Sequence, residues 1–213
     1  MPWHSEAMAD ALPRVLAVPH GGGPMPILGD PAHDPLITFL RTVASTIGRP
    51  KAIVVVSAHW ETTGPSITAA QAPGLIYDYG GFPPEAYELA YPAPGAPELA
   101  AEIGELLQAG GFDPMLRTDR GFDHGVFVPL LLMYPDAQIP VVQLSMLAGL
   151  DPIAHLQMGQ SIARSPTAMC WSSGPDSRST TWVRSVSDHR NRRPIRRTSR
   201  LKRGFATPSP IGP

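Results

Sequence analysis

Two histidines follow apolar runs of the kind that form buried strands. His20 comes after Arg14–Val18 (RVLAV) and Pro19, and His59 comes after Ala52–Val56 (AIVVV). Open α/β sheets bind ligands at the carboxyl ends of their strands, and neutral imidazole is a common ligand of zinc and iron. The pattern predicts that His20 and His59 converge on one divalent metal ion. The alternative is two unrelated loop histidines, each solvated or hydrogen-bonded.

A third histidine, His124, lies in the sequence GFDHG immediately before an apolar, helix-forming run. At that place it could shuttle a proton or contact a substrate, with Asp123 as its orienting partner or as a helix cap. The alternative is an Asp-His pair at the surface. Carboxylates at Glu61 or Asp30 are conceivable further metal ligands, whereas we expect His155 to be structural.

The segment 76–95 (IYDYGGFPPEAYELAYPAPG) contains four of the five tyrosines, together with Phe82. Aromatic side chains in a proline-stiffened loop suit a flat aromatic substrate. They also suit a lid that only packs onto the domain, and both interpretations stay open. Tyr77, Phe82 and Asp123 are the candidate substrate contacts.

Apolar periodicity predicts strands that alternate with helices after a leader at 1–13. The expected strands are 14–18, 52–56, 66–70, 115–117 and 141–144, and the expected helices are 34–47, 97–109, one that begins after His124, and 152–163. We therefore predict an α/β fold, a single domain with a mixed central sheet flanked by helices, incomplete at the C-terminus.

The charge of the chain is divided unevenly about residue 163. Residues 1–163 hold 6 Lys and Arg against 16 Asp and Glu, whereas residues 164–213 hold 11 basic and two acidic residues. The second segment shows no convincing periodicity, so we expect it to form no packed structure. It is either a basic nucleic-acid-binding tail or a segment under no folding selection. The single cysteine, Cys170, excludes an internal disulfide, and we expect a soluble cytoplasmic protein.

The ordered motifs resemble the bacterial DOPA-dioxygenase-like branch of the class III extradiol ring-cleavage dioxygenases. The matching stretches are 20–25 (HGGGPM), 53–60 (IVVVSAHW), 81–84 (GFPP), 91–95 (YPAPG), 121–125 (GFDHG), 133–137 (MYPDA) and 139–145 (IPVVQLS). The resemblance implies one Fe(II) or Zn(II) ion per subunit, with His20 and His59 as ligands and His124 in the active site. It also implies that O₂ is inserted into a catechol-type ring next to the diol. The implied partners are a small aromatic diol and O₂, not nucleic acid or membrane.

The resemblance stops after residue 163, where the family continues with a strand and a Gly-Ser-Gly…His-Asn motif. Back-translation of Met169 to Val183, read from the third base of the Met codon, permits such a strand and a His-Asn pair. We therefore hypothesise that a frameshift near 163–168 makes 164–213 an out-of-frame tail. The alternative to an active dioxygenase is an inactive fragment of the family that retains part of the metal site.

Overall fold

A computed structural model describes residues 15–163 and, for the backbone, 170–171. The predicted leader and nearly all of the basic segment lie outside these residues. No helix in the described part is both long and apolar enough to cross a bilayer.

The described chain forms a mixed five-stranded sheet with helices on both faces, which confirms the predicted α/β class. The strands are β1 (Ile53–Thr62), β2 (Ser66–Thr68), β3 (Met115–Arg117), β4 (Val141–Leu147) and β5 (Cys170–Trp171). Their order across the sheet is β3-β2-β4-β1-β5. β1 runs parallel to β4 and β5, and β2 runs parallel to β3 but antiparallel to β4.

Four α-helices cover the sheet: α1 (Asp34–Ile47), α2 (Pro97–Ala109), α3 (His124–Met133) and α4 (Pro152–Ile162). A short 3-10 helix at Pro31–His33 precedes α1, and another at Pro84–Tyr87 interrupts the aromatic segment that was predicted to be all loop. The four helix predictions are confirmed, with the last one ending a residue earlier than expected. Proline in the first turn of α1, α2 and α4 suits a position whose backbone N–H has no partner within the helix.

Alternate residues of the central strands face two separate cores. Ile53 and Val55 pack with α1 and α3, whereas Val54 and Val142 pack with α2 and α4. Successive side chains of a strand point to opposite faces of the sheet, so a strand that is apolar throughout is buried on both. This explains why the AIVVV run contains no polar residue.

The first apolar run, RVLAV, does not form the predicted strand. Val15–Val18 belong to no strand, and Arg14 lies outside the described residues. Val18 is buried in the core beside α1 and α3, so the apolar character of the run reflects burial. A strand also needs a neighbour to complete its hydrogen-bond ladder, and in the described part of the chain these residues have none.

The strand predicted at residues 52–56 is longer than expected and continues to Thr62. His59 therefore lies within β1 rather than after it. The pairing of β1 with β4 shifts register between Ser57 and Glu61, as in a β-bulge. Such irregularities re-aim side chains locally, and this one occurs at His59.

Two residues of the basic segment differ from the prediction that it forms no packed structure. Cys170 and Trp171 form β5, in which Cys170 pairs with Val54 and Trp171 with Val55. The residues around them are polar and rich in arginine, and they show no alternation of apolar and polar side chains that would predict a strand. The remainder of the segment lies outside the described residues.

Candidate metal centre

His20 is fully buried at the start of the glycine-rich loop. The loop turns back through Gly21, whose φ of +80° is in the left-handed region that glycine adopts readily. His33 closes the loop from the other side, because its Nε2 accepts a hydrogen bond of 3.0 Å from the backbone N–H of Gly22. The Nδ1 of His33 in turn lies 2.7 Å from the Asp30 carboxylate. His33 and Asp30 therefore hold the loop that follows His20.

His59 is held at the register shift of β1 by contacts with Ser57 and α3. Its backbone N–H donates to the Ser57 Oγ at 3.2 Å. α3 begins close against this point, since a Cβ added to Gly125 would lie 2.6 Å from the Ser57 Oγ and 2.9 Å from the His59 Cδ2. The absence of a side chain at Gly125 thus allows α3 to approach β1 at the histidine.

The structure brings His20, His59 and His124 into one cluster. The Nε2 atoms of His20 and His59 are 2.8 Å apart, which confirms that these two side chains converge. The His124 ring centroid lies 4.6 Å from that of His20 and 4.0 Å from that of His59. One ring nitrogen from each histidine can be chosen so that all three lie within 4.8 Å of one another.

The electrostatics of the cluster favour neutral imidazoles. Burial lowers the pKa of His20 to about 3, and the neighbouring His124 and His59 rings act in the same direction. Burial and His124 also lower the pKa of His59. Metal binding requires the unprotonated imidazole, so two of the three rings are already in the form that a cation needs.

The spacing of the three rings also fits a metal ion. Zn–N bonds are about 2.0–2.1 Å long, so two nitrogens on one ion are at most about 4.2 Å apart. The 4.8 Å limit of the cluster is about 0.6 Å above this value. Asp30 and Glu61 are not members of the group, and Asp30 is engaged by His33. Within the described residues, the candidate centre therefore consists of imidazoles alone.

Asp78, which the sequence analysis missed, is the partner of His124. Its Oδ1 lies 2.7 Å from the His124 Nδ1 and accepts the His124 backbone N–H at 3.0 Å. Burial raises the pKa of the Asp78 carboxyl, but the hydrogen bonds from His124 outweigh burial and leave the pKa below its usual value. Asp78 follows Tyr77 in the aromatic segment, and nothing in its local sequence distinguishes it from a solvated loop aspartate.

A short parallel pairing explains how Asp78 reaches His124. Leu75 forms a parallel bridge with Phe122, and the Ile76 N–H donates to the Phe122 carbonyl at 2.8 Å. The segments that contain Leu75 and Phe122 therefore run side by side, and they lead to Asp78 and His124 respectively. This pairing joins segments more than 40 residues apart, and neither has a strand-like pattern of its own.

Asp123 does not have either of the roles expected of it beside His124. It occupies the N-cap position of α3, but its side chain makes no capping hydrogen bond. Its fully buried carboxylate instead accepts from the Ser57 hydroxyl at 2.6 Å, from the Gln143 amide, and from Arg120 at 3.2 Å. Asp123 therefore joins β1, β4 and α3 beneath the cluster, and orientation of the His124 ring falls to Asp78.

The aromatic side chains of the loop lie beside the histidine cluster. The Tyr79 ring centroid is 5.5 Å from that of His124, and Phe82 packs edge-on against Tyr79 at 5.4 Å. Phe82 also contacts the glycine-rich loop, where a Cβ on Gly23 would lie 3.2 Å from its ring. Tyr77 is one ring further out, 6.1 Å from Tyr79, and its hydroxyl donates to the Leu89 carbonyl. Tyr79, which the sequence did not distinguish from its neighbours, is thus the tyrosine in contact with His124.

His155 is structural, as predicted. Its Nε2 accepts the backbone N–H of Leu147 at 3.0 Å, and its Nδ1 donates to the Asp151 carbonyl at 2.7 Å. These bonds tie the first turn of α4 to the end of β4. His155 is not a member of the histidine cluster.

The comparison with protein families identifies the class to which this site belongs. The model described as the catalytic LigB subunit of aromatic ring-opening dioxygenase matches residues 13–177. The match includes all three clustered histidines and covers well over half of the chain. The chain belongs to this family, which confirms the resemblance found in the sequence.

Individual relatives agree with the family. The chain is 49% identical over 159 residues to the dioxygenase tasH of Hapsidospora irregularis, a match that covers 71% of this chain and 49% of the relative. It is 44% identical over 158 residues to the 4,5-DOPA dioxygenase extradiol of Beta vulgaris, a match that covers 72% of this chain and 58% of the relative. It is also 44% identical over 146 residues to the 4,5-DOPA dioxygenase extradiol of Escherichia coli, a match that covers 67% of this chain and 51% of the relative. The chain thus spans about half the length of the curated relatives it matches.

A solved structure shares the fold. The crystal structure of an uncharacterized protein from Escherichia coli K12 is 39% identical and superposes with a TM-score of 0.53, over 65% of this chain and 52% of that one.

Proposed function

We propose that the described domain carries the metal-binding part of an extradiol ring-cleaving dioxygenase that acts on a catechol-type substrate. The observation that carries the proposal is the convergence of His20, His59 and His124 beside an aromatic loop, in a chain of the ring-opening dioxygenase family. Relatives named 4,5-DOPA dioxygenases support an aromatic diol as the substrate.

His20 and His59 are the proposed metal ligands, through the Nε2 atoms that face each other. A divalent ion, Fe(II) or Zn(II), would supply Lewis acidity toward a phenol oxygen and, in the case of iron, electron transfer to O₂. Burial lowers the pKa of each imidazole and so favours the neutral form that coordination needs. Few protein ligands suit this chemistry, because open positions are needed for both substrates.

His124 is the proposed acid–base residue for the substrate hydroxyl. Its Nδ1 is engaged by Asp78, so its Nε2 is the nitrogen available to accept a proton. Tyr77 and Phe82 are the proposed substrate contacts from the loop, and Tyr79 joins them because it touches His124. Asp123, which was also a candidate contact, is instead proposed to support Ser57 and β1 from beneath.

Metal titration of histidine variants tests these assignments. The wild-type chain is titrated with Fe(II) under anaerobic conditions and then given O₂ with DOPA or protocatechuate, whose ring-opened products are yellow. His20→Ala and His59→Ala should lose metal binding, whereas His124→Ala should bind metal but form no product. His155→Gln replaces a histidine outside the cluster and should bind as the wild type does.

Three outcomes would change the proposal. Equal loss of metal affinity in His124→Ala and His20→Ala would make His124 a third ligand. Metal binding by the wild type without product would support the alternative of an inactive chain that retains the metal site. Wild-type affinity in His20→Ala and His59→Ala would overturn the metal assignment itself.

A further inference from the structure

Asp78 makes two hydrogen bonds to one residue of the proposed active site. Its Oδ1 lies within hydrogen-bonding distance of both the backbone nitrogen and the ring Nδ1 of His124. Its Oδ2 is 3.8 Å from the His59 Nδ1, too far for a hydrogen bond. The carboxylate is therefore directed at His124 rather than shared equally between the two rings.

The hydrogen bonds of Asp78 decide which nitrogen of His124 carries the proton. Its Oδ1 accepts the His124 backbone N–H at 3.0 Å and lies 2.7 Å from the His124 Nδ1, so one carboxylate oxygen faces two nitrogens and is the acceptor for both. The His124 Nδ1 must then be the donor. In a neutral imidazole a protonated Nδ1 leaves the lone pair on Nε2.

We propose that Asp78 is a positioning residue that holds His124 in the Nδ1–H tautomer, with its basic Nε2 available to the histidine cluster. The bond to the backbone N–H adds to this effect, because it ties the same carboxylate to the first residue of α3. Asp78 can thus restrict both the rotation of the ring and the position of the helix that carries it.

Asp78 also connects His124 to the aromatic loop. It lies between Tyr77 and Tyr79, and Tyr79 contacts the His124 ring. The hydroxyls of both tyrosines donate to carbonyls of the same loop, at Leu89 and Ala86. Asp78 therefore lies between the His124 ring, which it contacts, and the proposed substrate-binding aromatics, which are its neighbours in the loop.

Nitrogen-15 NMR of the histidine rings in the metal-free protein measures the tautomer directly. Spectra are recorded at about pH 8, above the ordinary histidine pKa. His124 is assigned by the loss of its signals in His124→Gln. The wild type should show His124 protonated at Nδ1. Asp78→Ala should move the proton largely to Nε2, whereas Asp78→Asn should retain Nδ1–H, because its carbonyl oxygen can still accept both bonds.

Asp119→Asn is the matched control, since it removes an exposed carboxylate that pairs with Arg117 and should leave the His124 signals unchanged. Circular dichroism confirms that each variant is folded. His124 protonated at Nε2 in the wild type, or an unchanged Nδ1–H tautomer in folded Asp78→Ala, would overturn the inference.

The inference rests on the proposed function, but the tautomer of His124 is measured independently of metal binding and turnover. If the wild type forms ring-opened product, Asp78→Ala should lower kcat about 10- to 100-fold with a smaller change in KM, and Asp78→Asn should recover part of the loss. If the wild type neither binds metal nor turns over, the proposed function fails. The tautomer of His124 still decides the role of Asp78.

Discussion

Replacing Gly125 with alanine tests whether the close approach of α3 to β1 sets the position of His59. The new Cβ would lie 2.6 Å from the Ser57 Oγ and 2.9 Å from the His59 Cδ2. The Ser57 hydroxyl cannot simply swing away without cost, because it donates to the buried Asp123 carboxylate at 2.6 Å and accepts the His59 N–H. Either α3 or the β1 segment from Ser57 to His59 must therefore move.

The size of the effect follows from two opposed contributions. Overpacking of a dense interior costs about 1–3 kcal/mol, whereas alanine in place of glycine in a helix contributes up to about 1 kcal/mol of stability. Gly159→Ala in α4 isolates the second contribution, since a Cβ at Gly159 would meet no atom within 4 Å. We expect Gly159→Ala to be stabilising and Gly125→Ala to be less stable than it by about 1–3 kcal/mol.

Urea unfolding followed by circular dichroism measures this difference, with equal m-values as the check that only stability has changed. Because the clash is with His59, Gly125→Ala should also lower the affinity for the metal, whereas Gly159→Ala should not. Equal stabilisation by the two substitutions would show that α3 does not press on Ser57 and His59. The account of how the fold positions His59 would then be wrong.

Three further predictions follow from the buried groups around the cluster. Burial lowers the pKa of His20 to about 3 from 6.5, so the unfolded chain binds a proton that the folded state excludes. The contribution of His20 to the free energy of unfolding is therefore present above about pH 6.5 and is lost as the pH falls toward 3. Urea unfolding of the metal-free protein should show a loss of about 2 kcal/mol between pH 6.5 and 5, and less in His20→Gln. Asp123→Ala leaves the buried partners of that carboxylate unpaired and should cost about 3–5 kcal/mol of unfolding free energy in the same assay, with Asp123→Asn losing less. Phe127→Ala empties a fully buried position beside Tyr77 and should cost about 3–5 kcal/mol, measured as a lower urea midpoint, whereas Phe39→Ala at a half-exposed position of α1 should cost far less.

The helices were predictable because their signals are local. α1 and α2 begin and end where apolar spacing predicted, at Asp34–Ile47 and Pro97–Ala109. Strands were predicted less well, because a strand is completed by its neighbour. RVLAV is apolar but pairs with nothing in the described part of the chain, and Cys170–Trp171 is unremarkable in sequence but pairs with β1.

The convergence of His20 and His59 was also predictable, and it is confirmed by their 2.8 Å separation, although their role as ligands stays a proposal. The prediction rested on where parallel strands place the residues at their ends. It succeeded even though the residues before His20 form no strand. Val18 and His20 are both buried, and the His20 ring meets that of His59.

The sequence alone determined the α/β class, the helices and the family, because apolar periodicity and ordered motifs are carried by neighbouring residues. Only the tertiary structure decided that Asp78 rather than Asp123 engages the His124 ring, and that Tyr79 is the tyrosine in contact with it. Those contacts join segments more than 40 residues apart through the Leu75–Phe122 pairing. Hydrogen bonds and ring contacts act over a few ångströms of space, and distance along the chain gives no measure of that separation.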